Sequence, residues 1–62
     1  MRVWEVNVEL NMDTSNIVQI EVKASTENNA RKRAEIIAKK KYNVFFTNIR
    51  SVKFIGIKIH KN

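Results

Sequence analysis

Two stretches in the first half of the chain alternate between apolar and polar residues. In residues 2–12 the apolar positions that share one face are Trp4, Val6, Val8, Leu10 and Met12. In residues 17–24 the corresponding positions are Val18, Ile20, Val22 and Ala24. A period of two is typical of a half-buried strand. Because residues 13–16 are all turn formers, the pattern predicts a β-hairpin.

The period changes after the second strand and predicts a helix from residue 26 to residue 41 or 42. Ser25 is the expected N-cap, and Glu27 lies in the first turn, where a carboxylate favours the helix dipole. The spacing also predicts two i,i+4 ion pairs, Glu27 with Arg31 and Glu35 with Lys39. One apolar stripe faces the sheet, and it contains Ala30, Ala34, Ile37 and Ala38.

The last third of the chain predicts an apolar loop and a third strand. In the loop, residues 43–48, we expect Val44, Phe45 and Phe46 to close the open end of the core. Residues 49–60 read as a strand whose alternation breaks, since Val52 and Phe54 share one parity while residues 55, 57 and 59 share the other. A β-bulge near residues 54–56 would bring both sets to the core face; otherwise the strand is apolar on both faces.

These elements predict a single α+β domain over residues 1–62, with the order β-β-α-β. The simplest topology is a three-stranded antiparallel sheet in the order 2-1-3, with one helix packed on one face. The largest core residue is then Trp4. The other sheet face stays bare, and we expect it to be acidic and poor in aromatic residues, which disfavours base stacking on the sheet.

Composition excludes several classes of function. The 62 residues contain no cysteine, one glycine and one histidine, so neither a disulfide framework nor a zinc site is expected. No catalytic constellation or phosphate-binding glycine loop is present, and we expect neither an enzyme nor a cofactor. The chain has no apolar run near the ~18 residues of a membrane span and no signal-peptide pattern. We therefore expect a soluble cytoplasmic protein without a membrane partner.

Net charge points to a polyanionic partner. The chain contains twelve basic and six acidic residues, which gives a net charge of +6. The excess lies on the helix and the last strand, since residues 26–42 hold six basic and two acidic residues and residues 43–62 hold four basic and none acidic. This distribution predicts a non-catalytic nucleic-acid-binding module with a slight preference for duplex DNA. The predicted phosphate contacts are Arg31, Lys32, Arg33, Lys39, Lys40, Lys41, Arg50, Lys53 and Lys58.

Residues 17–42, IVQIEVKASTENNARKRAEIIAKKKY, pass from a strand ending in alanine through a Ser/Thr cap into an alanine-spaced helix. This stretch resembles the DpnD/PcfM-like small proteins of phages and other mobile elements. The resemblance implies an accessory role in a phage or plasmid and carries no catalytic residue across.

A different class of function also fits the pattern, namely a small phage- or plasmid-type factor that docks on a host protein and modulates it. The bare sheet face, a strand edge or exposed apolar residues would make the contact. The candidate contact residues are Ile17, Ile36, Phe45 and Phe46. A homodimer formed through the open sheet face or edge is compatible with either function.

Overall fold

The computed structural model describes residues 2–57 and contains a β-hairpin, a helix and a third strand. The bounds are β1 at Arg2–Leu10, β2 at Ile17–Lys23, α1 at Glu27–Tyr42 and β3 at Thr47–Ile57. The strands form one antiparallel sheet in the order β2-β1-β3, and α1 packs on one face of it. This confirms the predicted α+β fold and its β-β-α-β order. Within residues 2–57, no helix is long and apolar enough to cross a membrane.

The hairpin turns two residues earlier than the alternation predicts. Asn11 and Met12 both have left-handed backbone, with φ of 52° and 59°, and the Asp13 amide donates to the Leu10 carbonyl at 3.0 Å. Positive φ at both central residues is the signature of a type I′ turn, and this turn begins the connection that leads to β2 at Ile17. The prediction that Met12 faces the core is therefore wrong, and its side chain is 75% exposed.

The helix is capped at both ends. Its N-cap is Thr26, one residue after the predicted Ser25, and the Thr26 hydroxyl oxygen accepts a hydrogen bond from the Asn29 amide at 3.2 Å. At the other end Asn43 has left-handed backbone, and its amide donates to the Lys39 carbonyl. Asparagine tolerates this conformation better than most residues, so the helix stops there.

A thin apolar layer holds the helix against the sheet. The three alanines of α1 are fully buried, and their small side chains allow close approach to the strands. The sheet supplies larger residues to this layer, namely Val6, Val8, Leu10, Ile20 and Val22. The sequence predicts Ile37 on the same buried stripe, but Ile37 is 39% exposed. The buried stripe is centred on Ala34, so Ile37 lies on its flank, beside β2.

Strand β3 contains two bulges. Its register against β1 shifts between Val3 and Trp4 and again between Asn7 and Val8, which leaves Ile55 and Arg50 as extra residues. The first shift confirms the bulge predicted near residues 54–56. Gly56 follows that bulge with a φ of 145°, a conformation that side-chain-bearing residues rarely adopt.

The first bulge brings Phe54 and Ile57 to the helix side of the sheet, where they pair with Trp4 and Arg2. Both residues stay exposed, at 48% and 66%, so the expectation that they join the core is wrong. β3 begins at Thr47, two residues before the predicted start. Its predicted residues 58–60 lie outside the described part of the chain.

Candidate nucleic-acid interface

Helix α1 presents six exposed cations. Around the helix, Lys32 and Lys39 point away from the buried alanines, and the other four lie on the flanks or in the last turn. Arg31 of this set forms an ion pair with Glu27 at 3.4 Å. The predicted pair between Glu35 and Lys39 is not formed. The other five exposed cations of the helix are Lys32, Arg33, Lys39, Lys40 and Lys41.

The last turn of α1 combines lysines with an aromatic ring. The ammonium nitrogen of Lys41 lies 5.6 Å from the centre of the Tyr42 ring, within reach of a cation–π contact. The Lys39 carbonyl accepts hydrogen bonds from the amides of Asn43 and Val44. Because this carbonyl accepts two hydrogen bonds, it fixes the direction in which the chain leaves the helix.

The loop after the helix exposes two phenylalanines, contrary to the prediction that they close the core. Phe45 is 84% exposed and Phe46 is 64% exposed. Only Val44 of this loop packs against the core, and it is enough to fill the end of so thin a layer. The Phe46 carbonyl accepts a hydrogen bond from the Asn11 amide at 2.8 Å, which ties the loop backbone to the hairpin turn.

Two of the predicted phosphate-binding residues lie on the opposite face of the sheet. The guanidinium of Arg50 donates to Glu9 at 3.1 Å, and Lys53 stands opposite Glu5 in the sheet register. Since Glu5 and Glu9 alternate with the core residues of β1, both cations lie on the face away from α1. Lys58 is outside the described residues. The predicted set therefore divides into a helix group and an open-face group.

The open face of the sheet is electrically balanced, whereas an acidic face was predicted. Within residues 2–57 it carries three acidic and three basic side chains: Glu5, Glu9, Glu21, Lys23, Arg50 and Lys53. The strand that supplies two of these cations, β3, was not included in that prediction. Phe54 does not lie on this face, because its ring contacts Trp4 on the helix side at 5.3 Å between centroids.

The residues predicted to contact a protein do not form one surface. Ile17 stands opposite Glu9 on the open face and is 45% exposed. Ile36 is 57% exposed and lines a groove of about 410 Å³ between α1 and β2. The phenylalanine pair lies at the end of the molecule where the helix and the hairpin turn meet. The exposure of Ile36 and of both rings agrees with the protein-docking alternative, whereas the groove was not predicted from sequence.

The hairpin connection, which bonds to the phenylalanine loop through Asn11, contains one acid, Asp13. Hydrogen bonds from the Ser15 hydroxyl and amide lower the pKa of this carboxyl below its usual value, so it is charged at neutral pH. It is turned towards Ser15, at 2.7 Å from the hydroxyl oxygen. Among residues 2–57, no three histidine or carboxylate side chains come together to hold a metal ion.

Comparison with protein-family models, with curated proteins and with solved structures finds no match to this chain.

Proposed function

We propose that this chain is a non-catalytic nucleic-acid-binding module that contacts phosphates through helix α1. The observation that carries the proposal is the row of six exposed helix cations, which outnumber the two carboxylates of the helix by four. Arg31 and Lys41 are ten residues apart, so at about 1.5 Å per residue the row extends about 15 Å along the helix axis. That length spans several phosphates of a nucleic-acid backbone.

Binding through such a surface is electrostatic and largely independent of sequence. Each phosphate that is neutralised releases condensed counterions, so affinity falls steeply as salt is added. Lysine and arginine contacts to phosphate set orientation and register but read no base. The open-face cations have a smaller part in this proposal, since Arg50 is paired with Glu9 and Lys53 faces Glu5.

The test compares two variants that each remove two positive charges. One is Lys39→Ala/Lys40→Ala on the helix, and its matched control is Lys23→Ala/Lys53→Ala on the open face. Anisotropy titrations of a fluorescent oligonucleotide are run between ~50 and ~200 mM salt. We expect the helix variant to bind severalfold more weakly, with a salt slope reduced by about 1 for each lost contact.

The open-face control should bind within about twofold of the wild type, because both lysines occupy open-face positions of the sheet, opposite Val3 and Glu5. Equal losses in both variants would show that net charge alone determines binding and would contradict a helix interface. Absence of binding at ~50 mM salt would refute the proposed function altogether.

A second candidate function, docking on a host protein, is favoured by the groove beside β2. Val22, Ile36 and Ile37 give it an apolar lining, and β2 is an edge strand whose outer side pairs with no strand of the described chain. An extended peptide could add to this edge and insert apolar side chains into the groove. Ile36→Asp should abolish such binding at any salt concentration, while Lys39→Ala/Lys40→Ala should preserve it.

A further inference from the structure

The end of helix α1 and the loop that follows it bring together three cations and three exposed aromatic rings. Lys39, Lys40 and Lys41 are exposed, and Tyr42 is 37% exposed beside Lys41. Phe45 and Phe46 come three and four residues later, at 84% and 64% exposure. Phe45 and Phe46 thus leave two large apolar side chains in water at one end of the molecule, and exposed apolar surface of this kind favours an interaction site.

The rings are presented on a fixed backbone. Asn43 turns the chain at the end of the helix, Val44 packs into the core, and the Phe46 carbonyl is held by the Asn11 amide. The loop is therefore anchored on both sides of Phe45. Rings on an anchored loop lose little conformational freedom when they bind a flat partner.

From this juxtaposition we infer that residues 39–46 form a stacking platform for the unpaired bases of a single-stranded nucleic acid, which rests on the proposed function. An unpaired strand complements this surface, because its negative phosphates can contact the lysines and its flat apolar base faces can contact the rings. No acidic residue occurs between residues 36 and 57, so the local charge suits a polyanion. In a duplex the base faces are hidden, and the rings gain contact only where a base step is forced apart.

The distribution of charge favours a strand over an anionic membrane surface. A membrane that received Phe45 and Phe46 would attract only cations within about one Debye length, ~8 Å at physiological salt. Arg31, Lys32 and Arg33 lie roughly 12–15 Å farther along the helix axis from Lys41 and would stay outside that range. An extended strand can follow the helix axis from the rings towards these residues, and it can therefore reach cations that the membrane surface would not.

The experiment measures affinity for three probes of equal length: a single-stranded DNA, its duplex, and a single strand of abasic sites that keeps the phosphates but lacks bases. We expect wild-type protein to prefer the base-containing strand by about tenfold or more over both other probes. Phe45→Ala/Phe46→Ala should lose that preference and keep the affinity for the duplex and the slope with salt. A uridine strand of the same length tests whether RNA is bound equally well.

Two control variants separate stacking from general apolar contact. Phe45→Leu/Phe46→Leu keeps apolar bulk without a ring face, so it should lose the preference for unpaired bases as the alanine variant does. Ile36→Ala/Ile57→Ala removes exposed apolar side chains elsewhere and should leave the preference unchanged.

Contrary results overturn the inference in distinguishable ways. Equal binding of all three probes with a steep salt slope would leave phosphate binding standing and remove the stacking platform. Loss of affinity for vesicles of phosphatidylserine and phosphatidylcholine in the phenylalanine variants, without any preference for unpaired bases, would assign the rings to a membrane surface. If no probe binds at ~50 mM salt, the proposed function fails and the inference fails with it.

Discussion

Within residues 2–57, three residues other than glycine have left-handed backbone, and each stands where the chain changes direction. Asn11 and Met12 turn the hairpin, and Asn43 ends the helix, with φ of 52°, 59° and 52°. Asparagine visits this region readily because its short polar side chain can bond locally. Methionine has no such compensation, and at 75% exposure Met12 also gains little from burial. Met12 is therefore a strained position with little packing to offset the strain.

Replacing Met12 by glycine should stabilise the fold. The strain of a left-handed residue is about 1–2 kcal/mol, and the added flexibility of glycine in the unfolded chain offsets up to about 1 kcal/mol of it. We expect Met12→Gly to raise the free energy of unfolding by about 0.5–1 kcal/mol, because Asn-Gly is the preferred pair of a type I′ turn. Urea denaturation followed by circular dichroism measures the change.

The matched control for this turn is Asn11→Gly. It should change stability less, since asparagine already tolerates the conformation. A lower unfolding midpoint for Met12→Gly than for wild type would contradict the type I′ assignment.

The exact residue at which an element begins or ends could not be predicted from the sequence. Met12 continues the apolar alternation of β1, and the pattern contains no sign that the backbone has already turned. Ser25 and Thr26 are both good N-caps, and only the position of the Asn29 amide, 3.2 Å from the Thr26 hydroxyl, decides between them. These differences leave the fold intact.

Among the elements, β3 departs most from a regular strand, and its bulges determine which residues face which side. Ile49 and Val52 both pack against the core, although a spacing of three puts residues of an unbroken strand on opposite faces. The bulge at Arg50 resolves this conflict and brings its guanidinium to Glu9 on the open face. The sequence therefore held a signal for the second bulge in the spacing of two apolar residues.

The bulge at Arg50 should stabilise the fold, because it allows Arg50 to form an ion pair with Glu9. The Glu9 side chain is only 7% exposed, while that of Arg50 is 49% exposed. Arg50→Ala leaves a nearly buried carboxylate without its hydrogen-bond donor, and we expect a loss of about 1–3 kcal/mol in the free energy of unfolding. Thermal and urea denaturation of the purified variants measure this loss.

A double-mutant cycle isolates the pair. Glu9→Gln/Arg50→Ala should cost less than the sum of its single changes, by about 1 kcal/mol, because the second change no longer strands a charge. Lys53→Ala is the control on the same face and should cost about 0.5 kcal/mol or less. Strict additivity of the two changes would show that the 3.1 Å contact adds nothing to stability.

On the scale of the whole molecule, the two sides of the sheet carry different kinds of surface. The helix side holds an excess of cations, and the open face balances its charges within the sheet. The helix part of the candidate site was predictable, since cations opposite an alanine stripe must be exposed. Phe45 and Phe46 were not predictable in the same way, because whether a core has room for two rings depends on the thickness of the whole layer. Lys53 could have been placed, since Val52 and Phe54 set its parity.

That thin layer also gives the last prediction, which concerns the packing of helix against sheet. Ala34 is fully buried at the centre of the interface, so Ala34→Leu must push α1 away from β1 or distort both. Overpacking of this kind costs about 1–3 kcal/mol or more. At about 4–8 °C per kcal/mol for a domain of this size, we expect the melting temperature to fall by at least about 5 °C.

The control for Ala34→Leu is Ile37→Leu, on the exposed flank of the same helix, which should shift the melting temperature by less than about 4 °C because the site can adjust. An Ala34→Leu variant as stable as wild type would mean that the interface has unfilled volume, which would contradict close packing of the alanines. Small domains have a free energy of unfolding of only a few kcal/mol. The stability of Ala34→Leu therefore also shows how much of this reserve of free energy remains. If the reserve is as small as the layer implies, each binding variant must be compared with wild type well below its own melting temperature, so that a loss of affinity reports the surface and not the fold.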